Sequence, residues 1–452
     1  ELFAEVGPVP SIIVDREEKF VEEIFDEAEP TVIRNTKAVT WPAMSKWNPE
    51  YFIENMEEFT VHASREPQGR MHTAAHPMGQ LPGVRWLRPW EDVVVPSREF
   101  FAASAASAAG GGGGPYFYFF SNLRKLPALL QRDVGDTLSL QARFRPTMEM
   151  NVWIGTNGTG SPLHYDVAHN MYVQVSGEKR FRLFPPSDHL RLHLFPRVHP
   201  STRMSQISLD AIRTDVFGEV SGASPMEVSL KKGQVLYIPP YWFHQTEVVA
   251  NHSISVSICS ESPQVDLREK IFLDHRLKLP ADITVAEKIV AVVAYIASFF
   301  SEPWHTDDDD DDEVVLGESE RADCELMRSF LAGMKESRFR TLLADTEVVG
   351  MDQATRKAED TFKEWFDPID RAGKPPGSQT GLDAWKQGKV LLSKYAFLKT
   401  SNYRYDVVQW EIELMNHFED IITLILGNPL VIMQFLEIMT SDKRVVSQWC
   451  LL

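Results

Sequence analysis

Ser161-Pro-Leu-His-Tyr-Asp166 sets an imidazole and a carboxylate two residues apart. On an extended strand alternate side chains share a face, so His164 and Asp166 project together while Tyr165 points the other way. Joined by a distant second histidine, such a pair forms the two-His, one-carboxylate set that holds Fe(II) and leaves coordination positions open for oxygen chemistry. His-x-Asp is common by chance, so the reading needs a third ligand and an anion clamp. Gly233-Gln-Val-Leu-Tyr-Ile-Pro-Pro-Tyr-Trp-Phe-His244 supplies the ligand: a turn, an apolar strand, a double proline and an aromatic corner ending in His244. Apolar surroundings keep an imidazole neutral, as metal ligation requires. Asn170-Met-Tyr-Val-Gln-Val-Ser-Gly-Glu-Lys-Arg-Phe-Arg-Leu-Phe184 supplies the clamp. It reads as a hairpin with a Ser-Gly-Glu turn and a second strand opening at Lys179. A lysine at the inner edge of a barrel is costly unless it meets an anion, and a dicarboxylate would provide one.

The surrounding texture tells which elements position these groups. Met148 to Ile154, Met171 to Val175, Arg180 to Phe184, Val235 to Ile238 and Ile254 to Ile258 are rich in β-branched and aromatic residues, predicting many short strands of a sandwich or jelly-roll barrel. Ahead of them, residues 1–114 form an α/β lead-in: Phe20 to Phe25 reads helical, Pro30 to Arg34 as a strand, and Asn48 to Asn55 as a capped helix start. The low-complexity stretch 102–114 (AASAASAAGGGGG) reads as a surface loop. The barrel is expected over 115–266 and a helical region over 267–452. Within the latter, an acidic linker spans about 303–320. Ile289 to Phe300 reads as a buried helix, too short to span a bilayer. Tyr405 to Leu426 and Pro429 to Met439 form an αα-hairpin split at Gly427-Asn428. It either packs on the barrel or makes a dimer interface.

The chain is acidic, with net charge −18, and seven of those charges lie in the run Asp307 to Glu313. That balance lacks the basic footprint of a nucleic-acid binder and favours a small-molecule or protein substrate. The three cysteines, Cys259, Cys324 and Cys450, make neither a disulfide framework nor a zinc site. A reducing compartment, cytoplasmic or nuclear, is expected, with no membrane contact. The chain opens on Glu1 rather than methionine, implying that its natural start lies upstream.

Together, SPLHYD, NMYVQVSGEKRFRLFPPSDH and GQVLYIPPYWFHQ resemble the JmjC/cupin-8 family of Fe(II)- and 2-oxoglutarate-dependent oxygenases, in the style of its factor-inhibiting-HIF-like hydroxylase branch. Pro30 to Arg34, Thr40 to Ala43 and Lys46 to Tyr51 resemble that family's opening strand and helix, so the likeness runs over about 8–262. It implies a mostly β core, a double-stranded β-helix (jelly-roll, cupin) barrel between the N-terminal α/β lead-in and the C-terminal helices. It implies His164, Asp166 and His244 as the metal ligands. Lys179, Ser161 and Tyr118, or Tyr116 in place of the last, would hold the distal carboxylate of 2-oxoglutarate. Asn170 would lie beside its metal-bound end. A second asparagine of some relatives is unmatched, and Cys259 falls near that position.

The activity implied is a dioxygenase that uses Fe(II), 2-oxoglutarate and O2 to hydroxylate a protein or peptide side chain, releasing succinate and CO2. A JmjC-type demethylase, an RNA or small-molecule hydroxylase, and an inactive cupin-fold binding module are the alternatives. The demethylase branch typically carries Glu where Asp166 stands. Relatives that dimerise through C-terminal helices imply a homodimer. Light scattering should then report twice the 51.4 kDa chain mass, and a monomer at micromolar concentration contradicts the interface.

Overall fold

Two long strands, each bent, organise the first of two units into which the chain divides. The computed structural model describes residues 3, 5–14, 24–25, 27–64, 85–86, 91–108, 116–135, 137, 140, 147–199, 201–261, 276–301, 323–339, 348–349, 356–357, 360, 379–400, 407–427 and 430–441. The first unit comprises Glu1–Ala75, Arg88–His193 and Arg203–Asp266. Its strands are β1 (Gly7–Pro8), β2 (Ser11–Ile13), β3 (Thr31–Arg34), β4 (Glu58–Ser64), β5 (Glu91–Pro96), β6 (Tyr116–Asn122), β7 (Thr147–Thr156), β8 (His164–Tyr165), β9 (His169–Phe184), β10 (Met226–Lys231), β11 (Val235–Ile238) and β12 (Phe243–Ser260). They join in one 12-stranded sheet in the order β2-β3-β11-β9-β12-β7-β6-β4-β5, with β1 on β10, β10 on β9 and β8 on β12. The lead-in strands thus pair with the barrel strands. The result is a mostly β jelly-roll core.

The stretch expected to be a hairpin is instead the single strand β9. Both of its halves pair with β12, and the ladder slips at Gln174/Ser176 and again at Gly177/Lys179. Ser176-Gly177-Glu178 is therefore a bulge that bends the strand without reversing it. Gly177 makes the bend sterically open: its φ is +71°, and a Cβ there would lie 1.9 Å from the His252 carbonyl oxygen.

Cross-strand partners share a face, so the register sorts the side chains. Before the bend, one face carries Met171, Val173, Val152, Ile154, Val256 and Ile258, all in the apolar core that also holds Trp41, Trp47, Phe52 and Phe59 of the lead-in. The opposite face carries Asn170, Tyr172, Asn151, Trp153, Ser255, Ser257 and Cys259, and is the barrel interior. After the bend, Lys179, Phe181 and Leu183 face inward with Val248, Thr246 and His244. Arg180 and Arg182 point outward to Glu247 and Glu227.

Local expectations are met where side chains act on their own backbone. Helix α1 (Pro42–Lys46) is followed by α2 (Pro49–Asn55), capped by Asn48 accepting from the Tyr51 N–H at 2.8 Å. Buried Asp133 ties both down, accepting from Lys46 at 2.6 Å, Tyr51 at 2.5 Å and Trp47 at 3.2 Å. The loop expected from residue 102 is corrected: α3 (Ser97–Ala108) runs to Ala108, because alanine is the best helix former. Residues 109–114, Phe20 to Glu23, the acidic run and Asn428-Pro429 lie outside the described residues.

The second unit comprises Leu267–Leu452 with His76–Leu87 and Leu194–Thr202. Its helices include α4 (Val285–Ser298), α5 (Cys324–Met334), α6 (Gln379–Thr400), α7 (Val407–Leu426) and α8 (Val431–Ser441). Ile289 to Ser298 is buried on every side, so α4 is a core helix, opened by a Thr284/Glu287 capping box. Among the described residues no single helix is long and apolar enough to cross a membrane.

This apolar core encloses one ion pair. Arg338 (1% exposed) donates to the Glu419 carboxylate (0%) at 2.6 Å and to Asn416 at 2.8 Å. Glu419 also accepts from the Arg197 backbone N–H at 2.6 Å. Removing one partner strands a buried charge, whereas removing both does not. Arg338→Met should therefore cost about 3–5 kcal/mol by denaturant unfolding, with most of it recovered in Arg338→Met/Glu419→Leu. A loss under about 1 kcal/mol contradicts the burial argument.

Candidate metal centre

Strand β8 lies antiparallel against the start of β12, with His164 opposite His244 and Tyr165 opposite Phe243. The two imidazoles sit 4.2 Å apart between centroids. One ligand atom each from His164, Asp166 and His244 falls within 4.8 Å of the others. His164 Nδ1 lies 2.7 Å from the Pro162 carbonyl, and His244 Nδ1 lies 3.1 Å from that of Trp242. A carbonyl only accepts, so each Nδ1 carries a proton and Nε2 is the nitrogen left to ligate a metal. His244 Nε2 is 3.8 Å from the Asp166 carboxylate. Backbone bonds hold the carboxylate-bearing turn: Tyr241, at φ +67°, donates its N–H to the Asp166 carbonyl at 2.7 Å. The Tyr241 ring stacks on Tyr165.

The electrostatics suit a cation. Burial, reinforced by His164, holds His244 down to about 4, against upward pulls from Asp166 and the Trp242 carbonyl. The Asp166 side chain keeps 42% exposure, but the protein packed around it would still raise its pKa. His164, His244 and Arg203 outweigh that and hold it below the ordinary carboxylate value. Two imidazoles beside an ionised carboxylate are the donor set of a two-His, one-carboxylate centre.

Further inside, Lys179 is 1% exposed, and burial pushes its amine down to about 7. Its Nζ donates to the Tyr118 hydroxyl at 3.1 Å and the Tyr172 hydroxyl at 2.5 Å. Among the described residues no carboxylate pairs with it. Tyr118 reaches this point by crossing its register partner Gly155, where a Cβ would come within 2.9 Å of the Tyr118 ring. The Asn170 amide oxygen is buried with no hydrogen-bond partner among the described residues. A buried amine facing phenols fits an anionic co-substrate, and the Asn170 amide lines the same interior.

The expected residues separate as follows. His164, Asp166 and His244 converge, and Tyr118, rather than Tyr116, meets Lys179. Ser161 is held by its backbone, donating to Thr246 Oγ1 at 2.9 Å and accepting from the Thr246 N–H at 3.2 Å. Cys259 is the cross-strand partner of Asn170, and burial with the Asp166 charge lifts its thiol to about 12, so it stays protonated. Two participants escaped the reading. Tyr172 carried a signal, since strand alternation places it on the face of Asn170. Arg203 lies in Pro200 to Gln206, a stretch that resembles a family segment near the substrate groove, but the residue itself was not singled out.

The family model described as a cupin-like domain matches residues 17–259. The tRNA wybutosine-synthesizing protein 4 of Emericella nidulans is 27% identical over 56% of this chain and 22% of its own length. Jumonji C domain-containing protein 5 of Drosophila melanogaster is 26% identical over 55% of the chain and 59% of its own length. The lysine-specific demethylase JMJ30 of Arabidopsis thaliana is 38% identical over 24% and 25%. The chain therefore spans less than two thirds of each of these relatives.

Lys179 should make stability depend on pH. Its folded pKa of about 7 lies below the ordinary 10.5, so between them the unfolded chain binds more protons and stability rises with pH. Without metal or anion, Lys179→Met should be more stable than the parent near pH 7. That advantage should shrink toward pH 10, by up to about 1.4 kcal/mol per unit. Denaturant midpoints measured across that range check it, and a pH-independent difference contradicts it.

Proposed function

This chain belongs to the cupin-like domain family, and from that membership we propose an Fe(II)- and 2-oxoglutarate-dependent oxygenase that hydroxylates a protein side chain. The observation that carries the reading is the convergence, on one barrel interior, of three metal donors and a buried ammonium that lacks a carboxylate partner. His164, Asp166 and His244 would hold the iron. Lys179, with the Tyr118 and Tyr172 hydroxyls, would take the distal carboxylate of 2-oxoglutarate by a charge-assisted contact. Iron, 2-oxoglutarate and O2, when bound, supply the oxidising power, with succinate and CO2 as products.

The chain's own residues place and enclose these groups. The Pro162 and Trp242 carbonyls keep both Nε2 lone pairs directed at the metal. Phe181, Leu183 and Val248 give the interior an apolar wall that excludes water beside Lys179. The charge of an arriving distal carboxylate would raise the proton affinity of the Lys179 amine, which would take up its proton from solvent. Asn170 would lie near the metal-bound end, where its amide N–H is the group able to donate to an oxygen of the co-substrate.

Demethylation is the second reading, favoured by the name of the Arabidopsis relative. Product mass separates the two, since hydroxylation adds one oxygen and demethylation removes one methylene. For either, anaerobic Fe(II) and 2-oxoglutarate should produce a weak visible absorption band. Asp166→Ala should abolish it and cut succinate formation by at least about 100-fold. Unchanged succinate output from that variant contradicts the ligand assignment.

A further inference from the structure

Ser253, Ser255 and Ser257 alternate along the inner face of β12, each buried and each bonded to a polar side chain. Two of these bonds have a fixed direction. Gln174 Nε2–H donates to Ser253 Oγ at 2.9 Å, and Trp153 Nε1–H donates to Ser257 Oγ at 2.9 Å. The third is reversible. Ser255 Oγ (0% exposed) lies 2.6 Å from the Tyr172 hydroxyl, and either oxygen can supply the proton. The same Tyr172 oxygen lies 2.5 Å from Lys179 Nζ. The Tyr172 ring is fixed edge-on against Phe181, with its centroid 5.1 Å from the amine.

The charge on Lys179 decides which way this short chain of hydroxyls points. A neutral amine has a lone pair, so protons can run from Ser255 through Tyr172 to Lys179. An ammonium has three donors and no lone pair, so they must run from Lys179 through Tyr172 to Ser255. Among the described residues no carboxylate pairs with Lys179. Glu149 lies on the same interior face as the cross-strand partner of Cys259, and Asp166 lies with the two histidines of the metal centre. Tyr118 is the other phenol at the amine. Along β9 and β12 its inward neighbours are the apolar Phe181, Leu183 and Val248. A dicarboxylate that charges Lys179 therefore requires the Tyr172 proton to turn toward Ser255.

We propose that Tyr172 and Ser255 form a reversible hydroxyl pair that reverses when the co-substrate charges Lys179, which makes Ser255 a positioning residue for the dicarboxylate. This rests on the oxygenase reading of the site and adds a residue which that reading does not use. The effect of Ser255 reaches the co-substrate through Tyr172. Alanine in its place leaves the neutral state satisfied, because the amine still accepts from Tyr172. In the charged state the Tyr172 proton is left buried without that acceptor, and binding is opposed.

The test titrates 2-oxoglutarate by calorimetry into the full chain loaded with Mn(II), without oxygen. The parent, Ser255→Ala, Tyr172→Phe and the double variant are compared. Ser255→Ala should weaken binding about tenfold. Tyr172→Phe leaves no phenol proton to place, so adding Ser255→Ala to it should change binding by less than about twofold. 2-Oxopentanoate has the same chain length without the distal carboxylate, and Ser255→Ala should not weaken its binding. A residue that only fills space would affect both acids and would act with or without the phenol. Parent-like binding of 2-oxoglutarate by Ser255→Ala overturns the proposal. So does a tenfold loss that persists in the Tyr172→Phe background, an equal loss for 2-oxopentanoate, or loss of Mn(II) by Ser255→Ala. Failure of the parent chain to bind 2-oxoglutarate is a different result. It strikes the oxygenase reading itself, and this proposal with it.

Discussion

An ammonium enclosed by protein and given only phenols for company is an unfavourable arrangement, and the barrel is built around one. Lys179 is sealed between Tyr118 and Tyr172, and burial alone takes its amine down to about 7. Hydroxyls satisfy its donors but do not neutralise its charge. A core optimised for stability would not retain such a group, whereas a site that receives an anion must. The direction of the β9 and β12 side chains on either side of the bend follows from how the chain delivers Lys179 to that point.

Delivery depends on the bend at Ser176–Glu178. Without the double slip in the β9–β12 ladder, strand alternation would continue unbroken, and the inward set Lys179, Phe181 and Leu183 would exchange with Arg180 and Arg182. The same bend lets β12 present Ser255 and Ser257 toward Tyr172 on one side and His244 and Thr246 toward Leu183 and Phe181 on the other. Lys179 and Tyr172 on β9 and His244 on β12 are thereby carried by two paired strands, while His164 comes from β8, Asp166 from the turn after it and Tyr118 from β6. The spacing of His244 from Lys179 is set by strand register, which favours preorganisation.

The sequence was most legible where chemistry is local. The two-residue spacing of His164 and Asp166, the Pro-Pro-aromatic lead to His244, and Asn48 capping its own helix are written in adjacent residues. The bulge was misread as a hairpin because Ser-Gly-Glu is good turn chemistry, and only pairing of both halves with one distant strand distinguishes a bend from a reversal. The alanine-rich stretch was misread because low complexity resembles a linker while each alanine favours helix. The contacts of Arg203 were not legible for another reason: its place beside the triad arises from a long excursion that returns the chain alongside Leu163–Tyr165.

The central claim is that Lys179 waits for a dicarboxylate with its proton loosely held, and proton uptake on binding tests it most directly. Calorimetric titration of 2-oxoglutarate into the Mn(II)-loaded chain at pH 8, in buffers of different ionisation enthalpy, counts the protons taken up. With the amine near 7 in the open site, the account predicts uptake approaching one proton per molecule bound, and none for Lys179→Met. Tight binding by the parent chain with no proton uptake, or uptake that persists in Lys179→Met, would contradict it.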